Sequence, residues 1–115
     1  MYLISWNPGK RQIEASFGGY ITNGEAKVFL EEMTEYLRMH SDEPFSILID
    51  YATVRRMDDG VLTSFENARE AGQFAGAEKV TFVARTDDEA EDLTDSRLQQ
   101  VLEGQEEYVA YRLAG

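Results

Sequence analysis

The chain has 115 residues, with 22 acidic against 11 basic side chains, a formal net charge of −11, no cysteine and a single histidine. A chain of this length suits one domain that buries roughly two-thirds of the surface its unfolded form exposes, with no metal or disulfide needed to hold the core. The charge repels phosphate backbones and anionic lipid, and the missing cysteines rule out disulfides, thiolate metal sites and cysteine nucleophiles.

The run YLISW and the run RQIEASFGG are short, rich in β-branched and aromatic residues, and separated by Asn7-Pro8-Gly9-Lys10, so a hairpin is predicted there. In the second run Ile13, Ala15 and Phe17 alternate with Gln12, Glu14 and Ser16, giving one buried face and one wet face. Gly18-Gly19 is expected to break that strand. Thr22 stands three residues before Glu25 in a capping-box pattern, and Ala26, Phe29, Leu30, Met33 and Leu37 then form the apolar stripe of a helix running to about His40. FSILIDY is the most apolar run of the chain, and its lack of alternation predicts a central strand, Phe45 to Tyr51, covered on both faces.

A second helix is predicted from near Asp59, with Val61, Leu62, Phe65, Ala68 and Gly72 on its buried side, Glu66, Asn67 and Glu70 in water, and Gly76 at its C-terminal cap. KVTFVAR reads as another buried strand. The segment DDEAEDLTDSRLQQVLEG reads as an interrupted helix in which Thr94-Asp95-Ser96 caps a second short piece, and EEYVAYRL alternates as a last strand. The order is β-β-α-β-α-β-α-β, and the expected fold class is α/β: residues 1–115 as a single domain with a mixed sheet and helices packed against it. No apolar run approaches the length of a membrane span, and no basic leader opens the chain, so a cytoplasmic protein is expected.

Function turns on ILIDYATVRRMDDGVLTSF, residues 47 to 65. An apolar strand followed by Asp50 resembles the phospho-acceptor strand of response-regulator receiver domains. A receiver, however, needs an acidic pair after its first strand to hold magnesium, where this chain has Asn7-Pro8, and it needs a cation to offset charge on the transferred phosphoryl oxygens. The stretches IEASFGGYITNGEAKVFLEEM, FSILIDYATVRRMDDGVLTSF and KVTFVAR resemble instead the STAS family, the domain of anti-sigma-factor antagonists and their SpoIIAA-like relatives. The markers are a strand ending in Gly and opening a helix (Gly19 to Glu25), a central strand ending in Asp (Asp50), and a loop-to-helix pattern Asp-Ser-Ser-Gly-Leu that falls on Met57-Asp58-Asp59-Gly60-Val61. The resemblance implies a STAS fold and a partner-docking surface at Asp58, Asp59, Gly60 and Asp50. It places Asp58 where the family's kinases phosphorylate serine, and Asp59 at the next serine. A carboxylate accepts no phosphate from a serine kinase, so the charge at this loop would be permanent.

The same residues carry plainer readings. Asp58 and Asp59 suit the N-cap of the second helix, and Asp50 suits backbone N–H groups in the loop after its strand. Glu31, Glu32 and Glu35, like Glu89, Glu91 and Asp92, read as solvated helix faces, and Trp6 and the tyrosines as core and rim packing. His40, a lone histidine in a helix's last turn, has no catalytic partner identifiable by spacing, and no nucleophile, base and oxyanion set assembles. Two functions remain open. One is a non-enzymatic regulatory module that binds another protein, an anti-sigma factor or a kinase-like partner. The other is a SpoIIAA-like domain binding an apolar or nucleotide small molecule. No cofactor, metal, nucleic acid or membrane is expected in either.

Overall fold

The computed structural model describes residues 1–110. Its element order is β1 (Tyr2–Asn7), β2 (Gln12–Ile21), α1 (Asn23–His40), β3 (Ser46–Met57), α2 (Val61–Phe74), β4 (Val80–Ala84), α3 (Asp87–Ser96), α4 (Leu98–Leu102) and β5 (Glu106–Ala110). Tyr111, Arg112 and Leu113 of the expected last strand lie outside the described residues.

The five strands lie side by side in chain order, β1 antiparallel to β2 and every other pair parallel. The hairpin forms as predicted, with Asn7 opposite Gln12 and the Asn7 side chain accepting the Lys10 N–H at 3.2 Å across the turn. Each later crossover moves one strand over in the same direction. Because such crossovers share one hand, their helices land on the same side of the sheet.

That geometry overturns one expectation. β3 is central, but it is not covered on both faces: Ile47, Ile49 and Tyr51 are buried while Ser46, Leu48 and Asp50 are only half-buried. The inward residues line up across the sheet as Ile13, Ile47, Val80 and Glu106 in one row and Ala15, Ile49, Phe82 and Tyr108 in the next. Phe29 of α1 and Phe65 of α2 meet Phe17 on this face, each with ring centroids 4.8 Å away, and Tyr51 meets Phe65 at 5.3 Å.

One glycine expectation is also corrected. Gly18-Gly19 does not end β2, which continues to Ile21 beside a longer β3 through register shifts on either side of the pair. Gly19 has φ +69°, a backbone that an L side chain adopts only under strain. Gly72 is interior to α2, and a Cβ there would sit 2.2 Å from Cδ1 of the fully buried Ile47, so this glycine lets the helix lie close on the sheet. Gly76 takes φ +98° just past the Ala75 C-cap, as expected of a helix stop.

At the far side of the sheet the inward rows end in charge. Glu106, 1 % exposed, accepts hydrogen bonds from Arg97 Nε (2.9 Å) and Nη2 (2.7 Å), Gln73 Nε2 (2.7 Å) and the Tyr108 hydroxyl (2.7 Å). Arg69 of α2 donates through Nη1 to the Tyr108 oxygen at 3.0 Å. Burial pushes the Glu106 carboxyl upward, but the donors from Arg97, Tyr108 and Gln73 outweigh it and bring the pKa down to about 2. Thr94 and Ser96, expected to cap a second helix, bond back to the carbonyls of Ala90 and Leu93 instead.

Candidate functional site

β2 and β3 finish together: Tyr20 lies opposite Arg56 and Ile21 opposite Met57, and each strand turns directly into a helix. The starts of α1 and α2 are therefore neighbours at one corner, where their free N–H groups need acceptors. Thr22 caps α1 as its sequence pattern predicts, its Oγ1 accepting the Glu25 N–H at 3.1 Å. The Glu25 carboxylate, rather than returning the bond, pairs with the ammonium of Met1 at 3.1 Å.

Asp58 does not cap α2, which corrects the plainer reading of the acidic pair. The N-cap of α2 is Gly60, and the helix begins at Val61 rather than near Asp59. The Asp58 carboxylate reaches across instead, Oδ2 accepting the N–H of Asn23, the first residue of α1, at 2.9 Å, and Oδ1 accepting the Tyr20 hydroxyl. Asn23 reciprocates: its Oδ1 accepts the Gly60 N–H at 3.0 Å. Each helix start is thus capped by a side chain from the other. The exchange also explains the glycine, because a Cβ on Gly60 would lie 2.8 Å from Asn23 Oδ1.

Main-chain bonds pin the loop in the same place. The Asp58 N–H donates to the Ile21 carbonyl at 3.0 Å, and the Asp58 carbonyl accepts from Val61 at 3.1 Å. The Tyr20 hydroxyl and the Asn23 N–H hold the Asp58 carboxyl below its ordinary pKa, and the same Asp58 contact pushes the Tyr20 phenol up. Arg56 lies over the Tyr20 ring at 5.1 Å. Asp59 is exposed, with no hydrogen-bond partner for its carboxylate among the described residues. The corner therefore presents one carboxylate fixed by two elements, β2 and α1, and one free in solvent.

Asp50 is not brought to this corner. It lies in register with Ser16 and Val83, well back along β3, and β3 does not end there as the motif implies but runs on to Met57. Its Oδ1 accepts the Ala52 N–H at 2.9 Å, where β3 carries an extra residue relative to β2 between Asp50 and Thr53. A bulge leaves an N–H without a ladder partner, and Asp50 supplies the acceptor.

Beside the corner runs an open apolar groove lined by Met1, Leu3, Phe17, Gly18, Tyr20 and Thr53. β2 extends past the end of β1, leaving Tyr20 43 % exposed, and Leu3, paired with Ser16, is 71 % exposed. Sequence reasoning missed Tyr20, Asn23 and Arg56, all of which act here through contacts between separate elements. It also missed Arg69 and Glu106, although both were visible as charges standing at core positions of an otherwise apolar stripe and an alternating strand.

No protein-family model matches the sequence, and no curated protein matches it significantly. Solved structures do resemble it. A chain described as Mglu is 19% identical with TM-score 0.55 over 70% of this chain, which spans only 18% of that protein's length. The anti-sigma factor antagonist SpoIIAA in its unphosphorylated form has TM-score 0.66 at 4% identity, over 99% of this chain and 90% of its own. An uncharacterized protein of the DUF3478 family with a SpoIIAA-like fold, from Shewanella loihica PV-4, has TM-score 0.58 at 11% identity, over 99% and 86%. The fold of this chain is SpoIIAA-like, as the STAS resemblance implies.

Proposed function

We propose that this SpoIIAA-like domain is a non-enzymatic, cytoplasmic regulatory module that docks an anti-sigma factor or a kinase-like partner at the corner formed by Asp58, Asp59 and Gly60. Asp50 supports that corner by stabilising the bulge in the strand that leads to it. The observation that carries the reading is the juxtaposition of a carboxylate fixed between two helix starts with an exposed apolar groove, since docking surfaces combine an apolar centre with a charged rim. An aspartate supplies about one negative charge where phosphoserine supplies roughly 1.5 to 2, so the corner holds a permanent, weaker version of a phosphorylated state.

The test uses the full chain and an anti-sigma kinase encoded in the same genome. Asp58→Ser is expected to change the affinity or to become a phosphate acceptor with ATP. Asp58→Lys is expected to abolish binding, because it places a cation at the positive ends of two helix dipoles. Wild-type binding by both variants would place the docking surface elsewhere. A second reading, a small-molecule binding domain, is favoured by a separate crevice between α2, α3 and the sheet.

A further inference from the structure

The crossovers put the helices on one face of the sheet, and no described element crosses the other. Strands β2 to β5 are parallel throughout, and parallel sheets are almost always covered on both faces, with apolar residues on both sides of their strands. The bare face has that character in part. Its outward rows are Glu14, Leu48, Thr81 and Glu107, and then Ser16, Asp50, Val83 and Val109. Leu48 in the run Ile47-Leu48-Ile49 and Val83 in Phe82-Val83-Ala84 break the alternation that a wet face requires. Val83 lies opposite Val109, with Leu48 as its diagonal neighbour, and all three stay partly open to solvent, Val109 at 39 %.

Carboxylates frame this apolar strip. Glu14 lies beside Leu48, Asp50 beside Val83, and Glu107 beside Thr81, two residues before Val109. Glu14 accepts from the Asn7 amide and Asp50 from the Ala52 N–H, neither of which cancels a charge. The cation among them is Lys79, whose Nζ is 3.4 Å from Glu107. This balance decides between coverings. A second copy stacked face to face would bring the same three carboxylates against themselves, and anionic lipid or nucleic acid would be repelled. A basic partner meets opposite charge around the whole strip. The strip crosses β3, β4 and β5, two strand spacings or about 10 Å, which matches the diameter of one helix with its side chains. We infer that the bare face is a docking site for a basic amphipathic helix of a partner protein. Its apolar stripe rests on Leu48, Val83 and Val109, and its lysines or arginines face Glu14, Asp50 and Glu107.

This surface is separate from the corner at Asp58, and the inference does not rest on the reading given to that corner. Arg56 and Tyr20 lie beyond the register shifts of β3, away from the strip. The two features of the face have different tasks. Burial of the strip drives association, whereas the acidic rim selects the partner, because opposite charge speeds encounter and like charge excludes wrong partners.

The test is titration of the ¹⁵N-labelled full chain, at fixed ionic strength, with three synthetic peptides of about 18 residues, or five helical turns. One carries leucine and lysine in amphipathic helical order, one the same residues shuffled, and one glutamate in place of lysine. The ordered leucine–lysine peptide is expected to shift the amide resonances of Leu48, Thr81, Val83 and Val109 saturably. Its affinity should exceed that of the shuffled peptide by at least about tenfold, and the glutamate peptide should shift none of them. Val83→Lys, at a half-buried position, is expected to abolish the response, with the amide spectrum confirming the fold. Glu14→Gln/Glu107→Gln keeps the strip and the side-chain volumes, and is expected to weaken binding by about fivefold and to flatten its salt dependence. Equal affinity for the ordered and shuffled peptides, shifts confined to the acidic faces of α1 or α3, or unchanged affinity in the double glutamine variant would overturn the inference and leave the corner reading standing. The same shifts on raising the protein concentration without peptide would give the face to a second copy and overturn it too.

Discussion

Asp58 and Glu106 are both carboxylates that accept a tyrosine hydroxyl and hold an irregular part of the fold together, yet they do so under opposite conditions. Asp58 is half-buried at the top of the sheet, bound to a phenol and one main-chain N–H, with solvent beside it. Glu106 is sealed in the core, saturated by four donors and faced by two guanidiniums. Any partner lost at the first site is replaced by water, whereas a partner lost at the second leaves a charge stranded in low dielectric. The first can therefore be altered without unfolding the protein. The second acts as a fixed lock between α2, β5 and the α3–α4 junction.

The sharpest way to break the comparison is Glu106→Ala. It strands Arg69 beside an apolar core, and breaking a buried pair costs about 3 to 5 kcal/mol, so the thermal midpoint is expected to fall by more than about 10 °C. A fall no larger than that of Asp58→Ser would erase the distinction between the sealed carboxylate and the solvent-facing one.

Acid should reveal the same difference. The folded-state pKa of Glu106, about 2, lies below its ordinary value of 4.5, so its contribution to stability is complete above the ordinary value and is lost as pH falls through the folded one. Stability should decline from about pH 5 toward pH 2, and Glu106→Gln should flatten that decline by close to one proton in the slope of unfolding free energy against pH. An unchanged slope would assign acid sensitivity to other carboxylates.

At the corner, Gly60→Ala is expected to push the Asn23 side chain off the Gly60 N–H, with a loss of about 1 kcal/mol, the usual worth of one cap. In the double variant Asn23→Ala/Gly60→Ala the two losses should not add, since one exchange of caps is removed only once. Full additivity in urea melts would separate the two helix starts. The smallest effect belongs to Tyr20→Phe. Loss of the hydroxyl should let the Asp58 carboxyl pKa rise toward its ordinary value, read by ¹³C titration of the carboxyl, with the thermal midpoint nearly unmoved.

Local patterns in the chain were enough to determine the elements. The Asn7-Pro8-Gly9-Lys10 turn, the Thr22 cap, the stripe from Ala26 to Leu37 and the alternation of Ile13, Ala15 and Phe17 each rest on neighbours within a few residues, so they are legible without the fold. The element order followed from these patterns, and the STAS resemblance pointed to the Asp58 loop. What that loop does with its carboxylate was decided only by tertiary structure. Asp58 bonds to Tyr20 and Asn23, both far away in sequence, because β2 and β3 end in register and bring two helix starts together. The one-sided covering of β3 has the same origin, since crossovers of one hand moving in one direction put every helix on one face, which no run of apolar residues can announce. The roles of Gly72 and Glu106 belong with them: the patterns place both on inward faces, but the close approach to Ile47 and the donors from Arg97 and Gln73 follow only from the packing.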